Sequence, residues 1–265
     1  MSQENKIPHL PFKAVVFDLD GVITQTALVH AASWKEMFDE YLQLREQRDQ
    51  EPFREFTHEH DYLPYVDGKP RYKGVQSFLD SRGIHLPFGE ASDDPDKETC
   101  CGLGNKKNLK FREILERDGV QVYDSTVRWI YELKDQGVRV GVASSSKNCR
   151  LILQKTGLEE LFETRVDGEV SARLGLHGKP EPDIFITAAE NMGCKPTDAV
   201  VIEDAVSGVE AGRKGGFGLV VGIAREGNAE ALKHHGADVV IQDFAGVDTA
   251  QVSTWFNHKR TESGQ

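Results

Sequence analysis

The sequence predicts an α/β fold: a Rossmann-like parallel sheet core with a helical cap domain inserted after its first strand. Three observations lead there. Short apolar runs rich in β-branched residues recur through the second half of the chain. Helix-patterned stretches separate them, as in a parallel sheet covered on both faces. One more run of the same kind, AVVF, stands near the start, cut off from the others by a long polar block of helical pattern.

Taken in order, AVVF lies between Lys13 and Asp18, is too short for a helix and has turn-prone residues behind it. The cap is expected over 25–119. Within it, AASWKEMFDEYLQLREQ places Trp34, Met37, Phe38, Tyr41 and Leu44 at helix-face spacings, and Trp34, Met37 and Phe38 read as packing residues of the cap. Residues 85–99 hold two prolines, a glycine and an acidic run, which predicts an exposed loop. Gly102-Leu103-Gly104 lacks the preceding strand that a dinucleotide fingerprint requires, and reads as a loop before the next helix. Helical periodicity resumes with Leu109, Phe111, Ile114 and Leu115.

The core is expected over 10–24 and 120–247. Its strands are VRVGVASSS (138–146), AVVIED (199–204), GLVVGI (218–223) and ADVVIQD (237–243), alternating with helical stretches such as DSTVRWIYELKDQG and PDIFITAAENMG. Residues 248–265 are expected to form a C-terminal helix and tail, with HKRTESGQ frayed at the end.

Charge and composition narrow the function. With 43 acidic and 32 basic side chains the net charge is −11. Polyanions are repelled at long range, which argues against nucleic acid and anionic membranes as partners. No window approaches the roughly 18 consecutive apolar residues of a membrane span. The polar start, MSQENKIPHLPF, lacks the basic and apolar regions of a signal peptide, so a cytoplasmic protein is expected. The four cysteines show no C-x-x-C spacing, and neither a zinc site nor a disulfide framework is indicated.

In such a sheet, ligands bind beyond the carboxyl ends of the strands. The first strand ends in Asp18-Leu19-Asp20-Gly21, the strand at 138 in Ser144-Ser145-Ser146-Lys147-Asn148, and the strand at 199 in Glu203-Asp204. Lys179 stands just before a proline-started helix. Carboxylates gathered this closely cannot all stay ionised without a cation, and a hard divalent ion such as Mg²⁺ is the natural one. Carboxylates, metal, lysine and hydroxyls make a phosphate-handling set. Read singly, the same residues also serve as turn and helix-cap groups: Asp-Gly is a common turn pair, and serines cap helices.

FDLDGVIT, the SSSKN stretch, GKPEPDIF and IEDAVSGVEAG occur in this order at the ends of the predicted strands. Together they resemble the haloacid dehalogenase superfamily, in the subgroup that contains β-phosphoglucomutase, and the resemblance covers nearly the whole core. It implies that Asp18 is a nucleophile forming an aspartyl-phosphate and that Asp20 is the general acid/base. Ser144 would bind the transferring phosphoryl group and Lys179 would stabilise its charge. Asp18, Asp20 (through its carbonyl), Glu203 and Asp204 would hold Mg²⁺. The second carboxylate favours phosphate esters, because a halide leaving group needs no proton.

The resemblance extends to substrate positions. Thr26 matches a hinge threonine and His30 a histidine that helps close the cap. Ser146, Lys147 and Asn148 match a stretch that binds the non-transferring phosphate of a sugar bisphosphate, and Arg71 matches a cap arginine that clamps it. The expected activity is interconversion of β-D-glucose 1-phosphate and glucose 6-phosphate by a monomer whose partner is a small phosphosugar. A phosphosugar phosphatase, and a non-catalytic binding protein on the same fold, are the alternatives.

Overall fold

A computed structural model describes residues 10–225, 227–262 and 264. Most of the polar start and two residues of the C-terminal tail lie outside that range. The chain divides into two compact units, one ending at Thr24 and resuming at Val122, the other spanning Gln25–Gln121.

The first unit is built on a six-stranded parallel sheet in the order β3-β2-β1-β4-β5-β6. Its strands are β1 Ala14–Phe17, β2 Arg139–Ala143, β3 Thr164–Val166, β4 Ala199–Glu203, β5 Leu219–Ile223 and β6 Val239–Ile241. Strand β1 is central. Val15 pairs with Val140 on one side and with Val200 on the other. All four of its residues are fully buried, which explains an apolar run with no alternation. Strand order reverses at β1, so the crevice beyond the ends of β1 and β4 is the topological switch point, where this architecture places ligands.

The three-residue strand β3 is an edge element that the sequence reading does not contain. Thr-Arg-Val carries too little apolar signal to stand out, and pairing with Gly141–Ala143 of β2 makes it a strand. One face of the sheet packs Val16, Val201 and Val220 with Ile184, Phe185, Ala188, Val209 and Leu232 from the helices. Elsewhere in this unit, Trp129 stacks on Phe244 at 4.3 Å and meets Phe17 edge-on at 5.6 Å.

The helices, in chain order, are α1 Thr26–Asp49, α2 Leu63–Tyr65 (continuing a π-helical turn, His58–Tyr62), α3 Arg71–Ser81, α4 Cys100–Asp118, α5 Asp124–Asp135, α6 Cys149–Thr156, α7 Gly168–Leu174, α8 Asp183–Asn191, α9 Val206–Lys214, α10 Ala229–His235 and α11 Thr249–Glu262. The first four lie in the second unit. Among the described residues no helix is long and apolar enough to cross a membrane.

Four expectations are corrected. Leu44 is exposed and Leu42 takes its place in the cap core beside Trp34, Met37, Phe38 and Tyr41. Leu109 is also exposed, leaving Phe111 and Leu115 as the buried stripe of α4. Gly102-Leu103-Gly104 is helical. Thr99 caps α4 by accepting from the Gly102 N–H, and a Cβ at 102 would sit 2.1 Å from the Lys97 carbonyl oxygen, one at 104 2.7 Å from the Tyr72 ring. Close packing, not a turn, accounts for both glycines. The segment before it is anchored as well as exposed, because buried Asp93 accepts from Thr99, Lys97 and the Glu90 N–H. At the C-terminus α11 continues through His258–Glu262, where a fray is expected from the sequence. Buried Phe256 and Lys259, which donates to the Phe217 carbonyl and to Asp238, hold it down.

Candidate active site

Three strand ends of the first unit bring the acidic and hydroxyl groups together. Asp18 is the residue after β1, and its N–H continues the ladder to the Ile202 carbonyl at 2.9 Å. This fixes the carboxylate at the end of the central strand, with only 5% of the residue exposed. The chain then turns at once. Gly21, with φ +83°, donates to the Thr24 carbonyl, and the N–H groups of Ile23 and Thr24 return to the Leu19 carbonyl. Asp20 is held in this turn, partly exposed.

Lys179 reaches the site from the loop before α8 and is 4% exposed. Its ammonium donates to both Asp18 Oδ1 and Glu203 Oε1, and lies 5.0 Å from the centre of the Phe185 ring. Burial works against the ammonium, but the two carboxylates outweigh it and raise its pKa above the ordinary lysine value. Asp18 moves the other way round. Burial pushes its pKa well above the ordinary 3.8, Lys179 opposes this, and the charges of Glu203 and Asp20 add to it. One buried ammonium does not offset so many carboxylates.

Glu203 ends β4 and is completely buried. Its second oxygen accepts from the Ala205 N–H at 2.7 Å, at the start of α9. Gly208 is required there, since a Cβ would lie 1.8 Å from Glu203 Oε1. Both oxygens of Glu203 are engaged, Oε1 by the Lys179 ammonium and Oε2 by the Ala205 N–H. Among the described residues, no three His, Cys, Asp or Glu side chains converge as a ready metal cage.

Asp204 turns to the rim instead. An ideal Cβ on Gly21 would fall 1.7 Å from its Oδ2, so the absence of a side chain at 21 is what admits this carboxylate beside the Asp18–Asp20 turn. That cradle of closely placed carboxylates suits a divalent cation with oxygen ligands. Asp18, Glu203, Asp204 and the carbonyl of Asp20 are the groups that the sequence expects to hold one.

The loop after β2 supplies the hydroxyls. Ser144, buried, donates its N–H to Val166 of β3, and its Oγ accepts from the Ser146 N–H at 3.1 Å. Ser146 Oγ accepts from the Asn148 N–H at 3.1 Å, so the serines shape the turn entering α6 as well as lining it. The Gly168 N–H closes the loop onto the Ser146 carbonyl, and a Cβ at 168 would meet Ser145 and Lys147. Lys147 is partly exposed and Asn148 is buried.

The remaining predicted residues belong to the second unit. Thr26, 1% exposed, begins α1. His30 stacks on Phe111 at 4.0 Å and its Nδ1 lies 2.5 Å from the Lys107 Nζ. Lys107 is buried and sits 4.6 Å and 5.0 Å from the Phe111 and Trp34 ring centres. The sequence reading does not single it out, because one lysine of a Lys-Lys pair on a polar helix carries no signal. Its one clue is the i+4 spacing to Phe111, on the buried stripe. Arg71 opens α3, partly buried, and donates to Asn108 Oδ1 at 2.8 Å. Burial lowers its pKa, a setting in which a guanidinium favours an anionic partner.

Comparison with known proteins adds independent findings. A family model described as haloacid dehalogenase-like hydrolase matches residues 12–216. The β-phosphoglucomutases of Mycobacterium bovis and Mycobacterium tuberculosis are 48% identical over 246 residues, covering 91% of this chain and 94% of theirs. That of Bacillus subtilis is 31% identical over 231 residues, covering 87% of this chain and 89% of its own. Among solved structures, β-phosphoglucomutase from Clostridium difficile matches with a TM-score of 0.74 at 21% identity, over 94% of this chain and 99% of that one. This last likeness shows the fold.

The raised Asp18 pKa gives a pH prediction for the metal-free protein. From 3.8 upward the unfolded chain releases the Asp18 proton while the folded chain keeps it, so Asp18 makes folding less favourable as pH rises through that window. The stability of wild type minus that of Asp18→Asn, from urea unfolding in chelator, should therefore fall as pH rises from about 4 towards neutrality. A difference that is flat or rises with pH contradicts the assigned environment.

Proposed function

The chain belongs to the haloacid dehalogenase-like hydrolases, in the β-phosphoglucomutase-like subgroup, and from that premise we propose that it interconverts β-D-glucose 1-phosphate and glucose 6-phosphate through an aspartyl-phosphate on Asp18. The observation that carries the proposal is Asp18 itself, fixed at the switch point with an ammonium on its carboxylate and a second carboxylate two residues on. The high identity with mycobacterial relatives of that name supports the sugar and the mutase outcome.

An Asp18 oxygen attacks phosphorus in line, forming the acyl-phosphate bond as the P–O bond to the sugar breaks. Asp20 delivers its proton to the departing sugar oxygen, then removes the proton of the accepting hydroxyl in the reverse step. Lys179, already within reach of Asp18, stays against the phosphoryl oxygens, and Ser144 with nearby backbone N–H groups receives them. Mg²⁺ would be held by Asp18, the Asp20 carbonyl, Glu203 and Asp204, and when bound would neutralise phosphoryl charge. Glu203 keeps Lys179 aimed. Ser146, Lys147 and Asn148 offer hydrogen-bonding and cationic groups to the non-transferring phosphate, and the family resemblance adds Arg71 and His30 as substrate-binding residues.

Two experiments test the reading. Phosphorus NMR with Mg²⁺, β-glucose 1-phosphate and a trace of glucose 1,6-bisphosphate should show glucose 6-phosphate with little inorganic phosphate. Rapid phosphate release would make water the acceptor and the protein a phosphatase. Asp20→Ala should lower turnover by about 10²–10⁴-fold, the usual range for losing a general acid. Turnover close to wild type would remove Asp20 from proton transfer.

A further inference from the structure

The loop that follows β5 grips both halves of the acidic rim. Arg225 Nε donates to the Gly21 carbonyl at 2.9 Å, inside the turn that carries Asp18 and Asp20. Three residues on, Asn228 Nδ2 donates to the Asp204 carbonyl at 3.0 Å. The guanidinium does not hang loose between these points. Its carbon lies 3.4 Å from the centre of the Tyr123 ring, and Nη2 points to Thr126 Oγ1 at 3.4 Å, at the start of α5. Thr126 is fully buried, and the Tyr123 N–H is bonded to the Ile23 carbonyl of the same turn. Arg225 is therefore stacked, partly buried and fixed at both faces of its fork.

We propose that Arg225, assisted by Asn228, is a positioning residue that sets the spacing between the Asp18–Asp20 turn and Asp204. The inference rests on the reading of these carboxylates as the phosphoryl-transfer and metal-holding groups. The physical need is plain. Asp18, Asp20 and Asp204 converge from two separate loops, and their relative placement has to be held. Gly21, with its positive φ and no side chain, lets Asp204 approach but does nothing to keep it there. A charge-assisted hydrogen bond to the Gly21 carbonyl is stronger than a neutral one, and the planar fork on an aromatic face gives it a fixed direction. Lysine at 225 would keep the charge and lose both the Nε–H and the stack.

The test compares wild type, Arg225→Ala, Arg225→Lys and Asn228→Ala in two readouts: calorimetric titration with Mg²⁺ alone, and steady-state kinetics on the sugar phosphate. Partners that orient metal-holding groups are expected to change affinity or activity by about 10–100-fold when removed. Both Arg225 variants should therefore show weaker Mg²⁺ binding and lower kcat with KM little changed, Asn228→Ala a smaller effect of the same kind, and added guanidinium should restore part of the loss in Arg225→Ala. If Arg225→Ala does not fold, Arg225→Lys decides, since its stem and charge remain. Folded Arg225 variants with wild-type Mg²⁺ affinity and kcat overturn the inference. If wild type binds Mg²⁺ and the variants weaken it but no sugar phosphate turns over, the function is wrong and the positioning role stands. A wild type that takes up no Mg²⁺ overturns both.

Discussion

A single buried ammonium, that of Lys179, sits between Asp18 and Glu203, and the carboxyl end of the sheet is organised around it. Each of the three charges is costly to bury alone. Together they are tolerable, and removing one member of such a buried set typically costs about 3–5 kcal/mol because its partners stay behind uncompensated. The arrangement links three distant parts of the chain, β1, β4 and the loop before α8. It also accounts for Gly208, whose missing side chain leaves room for the Glu203 carboxylate.

The same triad explains why the two carboxylates ending β4, adjacent in sequence, do different work. Glu203 continues the strand inward, with one oxygen on Lys179 and the other on the Ala205 N–H. Asp204 is turned to the rim, admitted by Gly21 and steadied through its carbonyl by Asn228. Burial first, and then the neighbouring Glu203 and Asp20 charges, push the Asp18 pKa above its ordinary value, against the pull of Lys179. A divalent cation beside it would oppose that shift.

Much of this was legible in the residues, for identifiable reasons. AVVF and the runs of β2, β4 and β5 mark the central strands, because strands buried on both faces lack polar alternation, and the run at 237–243 marks the edge strand β6. DLDG, SSSKN and ED mark strand ends, where a parallel sheet places its chemistry, and Lys179 stands out in the loop before a proline-started helix. What the residues hid was set by tertiary contact. Strand β3 exists through its partner β2. Leu42 and Leu44 differ by half a turn, and the pattern of a long polar helix does not say which is inside. Gly102 and Gly104 look like loop residues until the Lys97 carbonyl and Tyr72 occupy the space of their side chains. Lys107 is invisible as a functional candidate until burial and His30 identify it, and Arg225 until its hydrogen bond to Gly21 is seen.

The central claim is that Asp18 carries the phosphoryl group. Incubating the protein with Mg²⁺ and a sugar bisphosphate, quenching, and reducing with borohydride would convert an acyl phosphate to the corresponding alcohol, read by peptide mass spectrometry. The account predicts homoserine at position 18, dependent on the phosphodonor and absent from Asp18→Asn. Reduction at another carboxylate, or turnover with position 18 never modified, would contradict it.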